Sequence, residues 1–375
     1  MKINKKESLF FIGVVFLLLK AWGTSSSILS VLLEPLGNFF VFFAYSSFLL
    51  SIILNKPSTK EIKIYGVLLF IGIMTYMTSK ATAILTLFFT LISMKDIEVK
   101  KVIKFIFKIN LFLLLVHILL YFIYMVFDFD SLKVIVRNSE TGNVMRYSFF
   151  FVHPNVFAMY VFWTLAMFYY IYYEKIGKIT YLTTILIAIF IYFFPNSRTC
   201  AIEIIMLVML TVISKIRFDY IWLKSAFILI SLFCTLSIFF INNPIIGKID
   251  ELLNTRISIG YIIYHNFGIN VFGADIKSGT PVTYINGRYI SSLTIIDSSY
   301  YSVLLNYGML AYIIYIFLLY MTIKNTKFEN DNRNKVMLFL YITYAMTETS
   351  CLSPILGFPL LLVSNVFKEK IWKTK

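Results

Sequence analysis

Twelve apolar runs dominate this chain of 375 residues. They are approximately Leu9–Trp22, Leu36–Leu54, Ile62–Thr78, Ala81–Met94, Ile106–Phe127, Asn155–Tyr173, Ile179–Phe194, Thr199–Ile213, Tyr220–Ile241, Ser299–Ile323, Val336–Ser350 and Leu352–Phe367. Lipid offers no hydrogen-bonding partners, so a backbone that crosses it must satisfy its own polar groups, which a single apolar run can do as a helix. The runs therefore predict an all-α, polytopic membrane protein of about 12 transmembrane helices, in a single domain covering residues 1–375.

Two pairs of runs are very closely spaced. Ser79 and Lys80 alone separate the third run from the fourth, and little more than Cys351 separates the last two. Each pair is either a tight hairpin or a broken, re-entrant segment, and the sequence leaves both interpretations open.

Composition excludes the main soluble classes. Apolar residues make up 59% of the chain and charged residues 14%. In a soluble domain, apolar residues make up about 45–50% and charged residues about 25%. The net charge of +15 does not indicate nucleic acid, because lysine-rich cytoplasmic loops give a membrane protein the same balance. The three cysteines lie in apolar runs, so neither a disulfide framework nor a Cys-rich metal site is expected. We expect no metal and no cofactor.

Basic residues are unevenly divided between the two predicted sides. With the N-terminus inside, 24 of the 34 Lys and Arg residues fall in inner segments, which predicts that both termini are cytoplasmic. The longest outer segments are then residues 128–154 and a large late loop at 242–298. Half of the outer basic residues are Arg, which suits phosphate or carboxylate binding, although chance is the alternative. The DxD at Asp128–Asp130 is interpreted as a solvated helix end rather than a metal site.

Two polar clusters occur at predicted outer helix starts. Arg146 precedes His153, Pro154 and Asn155, and proline suits the first position of a helix. His153 is then either a helix cap or a neutral imidazole that hydrogen-bonds a sugar hydroxyl.

The second cluster is the turn Pro195–Thr199, which contains Arg198. Glu203 follows one turn deeper, and an ionisable group inside a span usually faces a partner or a cavity. The alternative is a structural ion pair between Arg198 and Glu203.

The large outer loop contains a third cluster around Arg256 and His265. On one helix these residues are about 180° apart, so they face opposite ways unless Gly260 or Gly268 breaks the helix. The apolar residues between them could lie on the membrane surface.

A fourth cluster, Asp297 to Tyr300, opens the tenth run. Asp297 is either an N-cap or an acid–base group, and Glu348, near the outer end of the eleventh run, is a further acidic candidate.

These four clusters, in this order, resemble the bacterial O-antigen polymerase and ligase superfamily. The resemblance rests on "RYSFFFVHPNVFA", "NSRT", "NTRISIGYIIYHNFGINVFG" and "IDSSYYSVLLNYG", together with the late large loop. It is closest to polymerases of capsular or exopolysaccharide repeat units. Ligases of this superfamily carry His where this chain has Asp297, which counts against a ligase.

The resemblance implies a metal-independent glycosyltransferase on the outer face of the bacterial plasma membrane. Such an enzyme transfers a growing glycan from undecaprenyl pyrophosphate to a new lipid-linked repeat unit, and a flippase and chain-length regulators are candidate partners. It implies that Arg146, Arg198 and Arg256 bind pyrophosphate, and that Asp297, His265 or His153, in that order, is the base. Glu203, Glu348, Asn155 and Tyr300 are further site candidates.

A lipid-linked oligosaccharide flippase or transporter, a ligase-like transferase and a non-catalytic assembly subunit are the alternatives. The sequence has no Gly-rich nucleotide-binding motif, which argues against ATP-driven transport.

Overall fold

The computed structural model is all-α apart from two short β-hairpins among the residues it describes. The described residues are 5–127, 134–139, 142–216, 218–276, 283–285, 288–290, 296–329 and 331–367. Asp128–Asp130 lies outside them. Contacts divide the chain into two compact units, Met1–Asn55 with Asp96–Arg217 and Lys56–Lys95 with Phe218–Lys375. Each unit is described by itself, and the single domain expected from sequence stays a prediction.

Within the described residues, eight helices are long and apolar enough to cross a membrane. The candidate spans are Lys5–Ser25, Gly37–Leu54, Thr59–Ser79, Val99–Phe127, Pro154–Lys175, Arg198–Ile216, Tyr220–Phe240 and Met309–Lys327. The other four predicted runs form shorter helices of 10 to 16 residues. The protein is therefore a polytopic helical membrane protein, while the count of twelve spans is not confirmed.

The first unit contains seven α-helices and one hairpin among its described residues. They are α1 (Lys5–Ser25), α2 (Ser30–Leu33), α3 (Gly37–Leu54), α6 (Val99–Phe127), β1 (Val134–Ser139), β2 (Gly142–Tyr147), α7 (Pro154–Tyr172), α8 (Lys178–Phe193) and α9 (Arg198–Ile216).

Gly13 lets α1 approach α3 closely, since a Cβ there would lie 2.5 Å from the Phe48 ring. Deeper in the first unit, the Trp22 indole donates to Asn110 at 2.9 Å, and His117 shares a 2.7 Å hydrogen bond with Ser26. His117 is therefore a hydrogen-bonded core residue.

The second unit contains α4 (Thr59–Ser79), α5 (Ala83–Ser93), α10 (Tyr220–Leu236), α11 (Pro244–Leu252), α12 (Arg256–Phe267), β3 (Thr283–Ile285), β4 (Arg288–Ile290), α13 (Ser299–Tyr301), α14 (Met309–Glu329) and α15 (Asn332–Thr347). Helices α4 and α5 form a tight hairpin, because Lys80 ends α4 in the left-handed region at φ 57°. Helix α5 has 11 residues, fewer than a full membrane span needs.

The predicted helix Ser299–Ile323 is wrong in its first third. A π-helical turn, Ser302–Asn306, follows α13, and Gly308 at φ 94° interrupts the helical conformation before α14 begins. Gly308 lies directly against Gly273: a Cβ on Gly273 would lie 2.0 Å from the Asn306 carbonyl oxygen, and a Cβ on Gly308 would lie 2.2 Å from the Gly273 nitrogen. The break therefore lets the segment after α12 pack against the start of α14.

The last apolar run is also irregular. After α15 the chain makes short 3₁₀ turns at Ser350–Leu352 and then Phe358–Phe367. A Cβ on Gly357 would lie 2.1 Å from the Cys351 carbonyl oxygen, so glycine is required where the chain folds back on itself.

Candidate functional site

A sharp turn positions Arg256 at the first residue of α12. Asn254 and Thr255 both adopt left-handed backbone conformations, at φ 52° and 63°. The Thr255 N–H donates to the Asp250 carbonyl at 2.8 Å, and the Asp250 carboxylate accepts from the backbone N–H groups of Ile257 at 2.7 Å and Ser258 at 3.2 Å. Asp250 therefore caps α12 from the preceding helix, which holds a strained turn in place.

The Arg256 guanidinium faces two carboxyl groups from distant parts of the chain. Its Nη2 lies 3.5 Å from Glu348 Oε1 and 4.0 Å from Asp297 Oδ2, and its Nη1 donates to the Leu253 carbonyl at 3.0 Å. The Arg256 side chain is 9% exposed, Glu348 20% and Asp297 42%. Arg256 Nε is buried and has no hydrogen-bond partner among the described residues. We call Arg256, Asp297 and Glu348 the charge cluster.

Burial changes the protonation of both carboxyl groups. Desolvation raises the pKa of Glu348 to about 7, with Arg256 lowering it and Asp297 raising it. Desolvation also raises the pKa of Asp297, while Arg256 opposes the shift. The cluster therefore gains or loses a proton near neutral pH, as an acid–base site requires.

Neighbouring hydroxyls hold the cluster in place. Ser299 Oγ donates to the Glu348 carbonyl at 2.6 Å and contacts Cys351 Sγ at 3.0 Å.

Ser298 is the N-cap of α13, so Asp297 is not the helix cap that one interpretation of the sequence favoured. Tyr300 is fully buried and hydrogen-bonds the Ile342 carbonyl at 3.4 Å, so its hydroxyl belongs to the core.

Helix α12 is continuous, so neither Gly260 nor Gly268 breaks it. Arg256 is accordingly buried and His265 exposed, as their separation on one helix predicts. The apolar face of α12 packs on protein rather than lying on a membrane surface, because Ile257, Ile262 and Ile263 are buried. A Cβ on Gly260 of this helix would lie 3.2 Å from Ile238 and 3.3 Å from Tyr301.

In the first unit, Arg146 joins three segments. Its Nε donates to the Pro195 carbonyl at 2.9 Å and its Nη2 to Asn155 Oδ1 at 2.5 Å. His153 is the N-cap of α7, where its Nδ1 accepts from the Asn155 N–H at 3.1 Å, as the capping interpretation predicted. Burial and the Arg146 charge lower the pKa of His153, which favours the neutral imidazole.

The turn before α9 places its two charged candidates differently. Arg198 begins α9 and is exposed, whereas Glu203 is buried. Of the three arginines assigned to pyrophosphate, Arg198 has the most accessible side chain.

Sequence reasoning missed Asp250, which caps α12 beside the charge cluster, and did not connect the candidate Glu348 with Arg256. Asp250 was not a candidate, although it lies six residues before Arg256 and could have been considered as a cap for α12. Glu348 was a secondary candidate because nothing in its local sequence connects it to Arg256. No group of three or more His, Cys, Asp and Glu residues suited to a metal ion occurs among the described residues.

No protein-family model matches this chain, and no curated protein or solved structure is significantly similar to it. Functional inference therefore depends on the chemistry of the site and on the resemblance of the motifs.

Proposed function

We propose that the protein is a metal-independent polysaccharide polymerase of the plasma membrane. It transfers a growing glycan from undecaprenyl pyrophosphate to the sugar of a new lipid-linked repeat unit on the outer face. The observation that carries this proposal is the charge cluster, in which a buried guanidinium faces two carboxyl groups of raised pKa. Perturbed carboxyl groups beside a buried cation are typical of catalytic sites.

The reaction needs a base for the acceptor hydroxyl. The bond between the anomeric carbon and the pyrophosphate oxygen breaks, and a bond from that carbon to the acceptor oxygen forms. The hydroxyl proton passes to a carboxylate, and undecaprenyl pyrophosphate leaves with the bonding electron pair. Sequence position favoured Asp297 as the base, but a base is most effective when its pKa lies near the working pH. We therefore assign proton acceptance to Glu348 and acceptor-sugar binding to the more exposed Asp297.

Arg256 then adjusts the acidity of the two carboxyl groups. Its positive charge stabilises their ionised forms, which keeps Glu348 available as a base at neutral pH. Pyrophosphate binding remains a proposal for Arg146, Arg198 and Arg256, of which Arg198 is the exposed residue.

The test is to incubate purified full-length protein with one lipid-linked repeat unit. We expect a ladder of products that differ in length by one repeat unit, and we expect it to form without added metal. A flippase would move the substrate between leaflets without forming a new glycosidic bond, and a ligase-like transferase would give a single transfer. Movement without new linkages would overturn the proposal.

Topology provides an independent check. A Cys placed at Lys277 should react with a membrane-impermeant reagent from outside, and one at Lys327 should not. The reverse pattern would place the charge cluster on the cytoplasmic side, away from the proposed substrate.

A further inference from the structure

An apolar cleft of about 520 Å³ lies within the first unit, among α6, α7 and α8. Its lining includes Phe107 and Leu111 of α6 and Leu165 of α7, and on α8 it extends from Ile179 to Ile187. The eight helical rises from Ile179 to Ile187 cover about 12 Å, close to the roughly 15 Å thickness of one leaflet's hydrocarbon. The cleft is therefore nearly as long as the hydrocarbon of one leaflet is thick, which suits the tail of a lipid.

The threonine hydroxyls that α8 contributes to the lining of this cleft form hydrogen bonds within that helix. Thr183 donates to the Ile179 carbonyl at 2.9 Å, and Thr184 to the Thr180 carbonyl at 2.8 Å. Thr164 Oγ1 is buried without a hydrogen-bond partner among the described residues. A ligand in the cleft therefore meets an almost entirely apolar surface.

Exposed lysines adjoin the lining on two of the three helices. Lys108 follows Phe107 on α6, and Lys178 precedes Ile179 as the first residue of α8. Neither helix contains an acidic residue, although Glu174 is exposed in the turn before α8. Each lysine is the chain neighbour of a lining residue, so positive charge adjoins an apolar cleft, which complements a lipid with an apolar tail and an anionic headgroup.

We propose that this cleft binds one acyl chain of an anionic phospholipid, whose phosphate is held by Lys108 and Lys178. The site is at the opposite end of α7 from Arg146 and His153, because the lining residues of α7 belong to its C-terminal half. It is therefore a lipid site separate from the motif residues of the first unit, and it does not depend on the proposed glycan transfer.

The test uses delipidated full-length protein in detergent, titrated with phosphatidylglycerol or phosphatidylcholine of identical acyl chains and followed by native mass spectrometry. We expect tighter binding of phosphatidylglycerol. The double variant Lys108→Gln/Lys178→Gln should weaken it by about fivefold per lysine, while the charge-matched control Lys63→Gln/Lys324→Gln, made at exposed positions in the second unit, should not. Equal affinity for the two lipids would overturn the proposal.

Tail binding is tested by filling the cleft. Thr183→Trp should abolish the tight phosphatidylglycerol site, whereas Leu182→Trp, an exposed neighbour that does not line the cleft, should preserve it. Thr164→Val should retain binding, because an apolar tail does not use the hydroxyl. Three results would contradict a phospholipid tail as the occupant. The first is loss of phosphatidylglycerol binding in Thr164→Val, and the second is equal phosphatidylglycerol affinity of the two Trp variants. The third is displacement of bound phosphatidylglycerol by equimolar undecaprenyl phosphate. Unfolding curves of each variant separate lost binding from lost fold.

Discussion

Arg146 in the first unit and Arg256 in the second are both buried, but the hydrogen-bonding and ionic contacts of the two guanidinium groups differ. Arg146 donates to a backbone carbonyl and to an amide oxygen, whereas Arg256 faces two carboxyl groups. Arg146 also lies near His153, whose pKa burial and the Arg146 charge lower. The two carboxyl groups are coupled electrostatically to Arg256, so their pKa values depend on it. Both arginines are buried, so burial does not distinguish them; Arg256 is marked by the two carboxyl groups of raised pKa that it faces.

The largest effect should come from removing the proposed base. Glu348→Gln keeps the size and polarity of the side chain but cannot accept a proton. We expect the initial rate of polymer formation to fall by about 10²–10⁴-fold, with helix content unchanged by circular dichroism. Glu174→Gln, at an exposed position in the first unit, is the control. A rate within a factor of three of the unmodified protein would remove Glu348 from the mechanism.

Arg146→Ala should act on stability. The substitution leaves the Pro195 carbonyl and the Asn155 amide without these hydrogen bonds, which costs about 1–3 kcal/mol in the free energy of unfolding. Denaturant unfolding in detergent measures it. Arg198→Ala, at an exposed position, should change that free energy by less than about 0.5 kcal/mol. Equal unfolding curves for the two variants would contradict the anchoring role of Arg146.

The pH dependence of polymer formation should report Glu348. Its pKa is raised to about 7 and a base works when deprotonated, so the rate should reach a plateau above pH 7 and fall below it. One pH unit below the pKa, about a tenth of the molecules carry the ionised base, so the rate falls about tenfold. An unchanged rate between pH 6 and pH 8 is the contrary result.

The smallest and most diagnostic effects are shifts, in opposite directions, of the pH at which the rate of polymer formation falls. Arg256→Gln removes the charge that lowers the pKa of Glu348, so the inflection should move to higher pH. Asp297→Asn removes the charge that raises it, so the inflection should move to lower pH. Rate–pH profiles of the two variants, together with that of Arg146→Gln outside the cluster, test the coupling. Shifts in the same direction would show that the three groups do not interact as placed.

Local signals predicted several features correctly. Proline after His153 marked the start of α7, and the helical spacing of Arg256 and His265 placed them on different faces. The unbroken helix expected from Ser299 was wrong, because the contact between Gly273 and Gly308 joins segments distant in sequence. Apolar character alone does not reveal such a contact.

Membrane residence was determined by the sequence itself, because long apolar runs must form helices wherever water is absent. The sequence did not determine which residues belong to which unit, since the α4–α5 hairpin belongs with the C-terminal part of the chain. The charge cluster was also decided only by tertiary structure. Arg256, Asp297 and Glu348 are far apart in sequence, and the raised pKa values of the two carboxyl groups depend on the burial and charge that folding creates. Sequence identifies ionisable residues, but the three-dimensional fold decides which of them share one electrostatic environment.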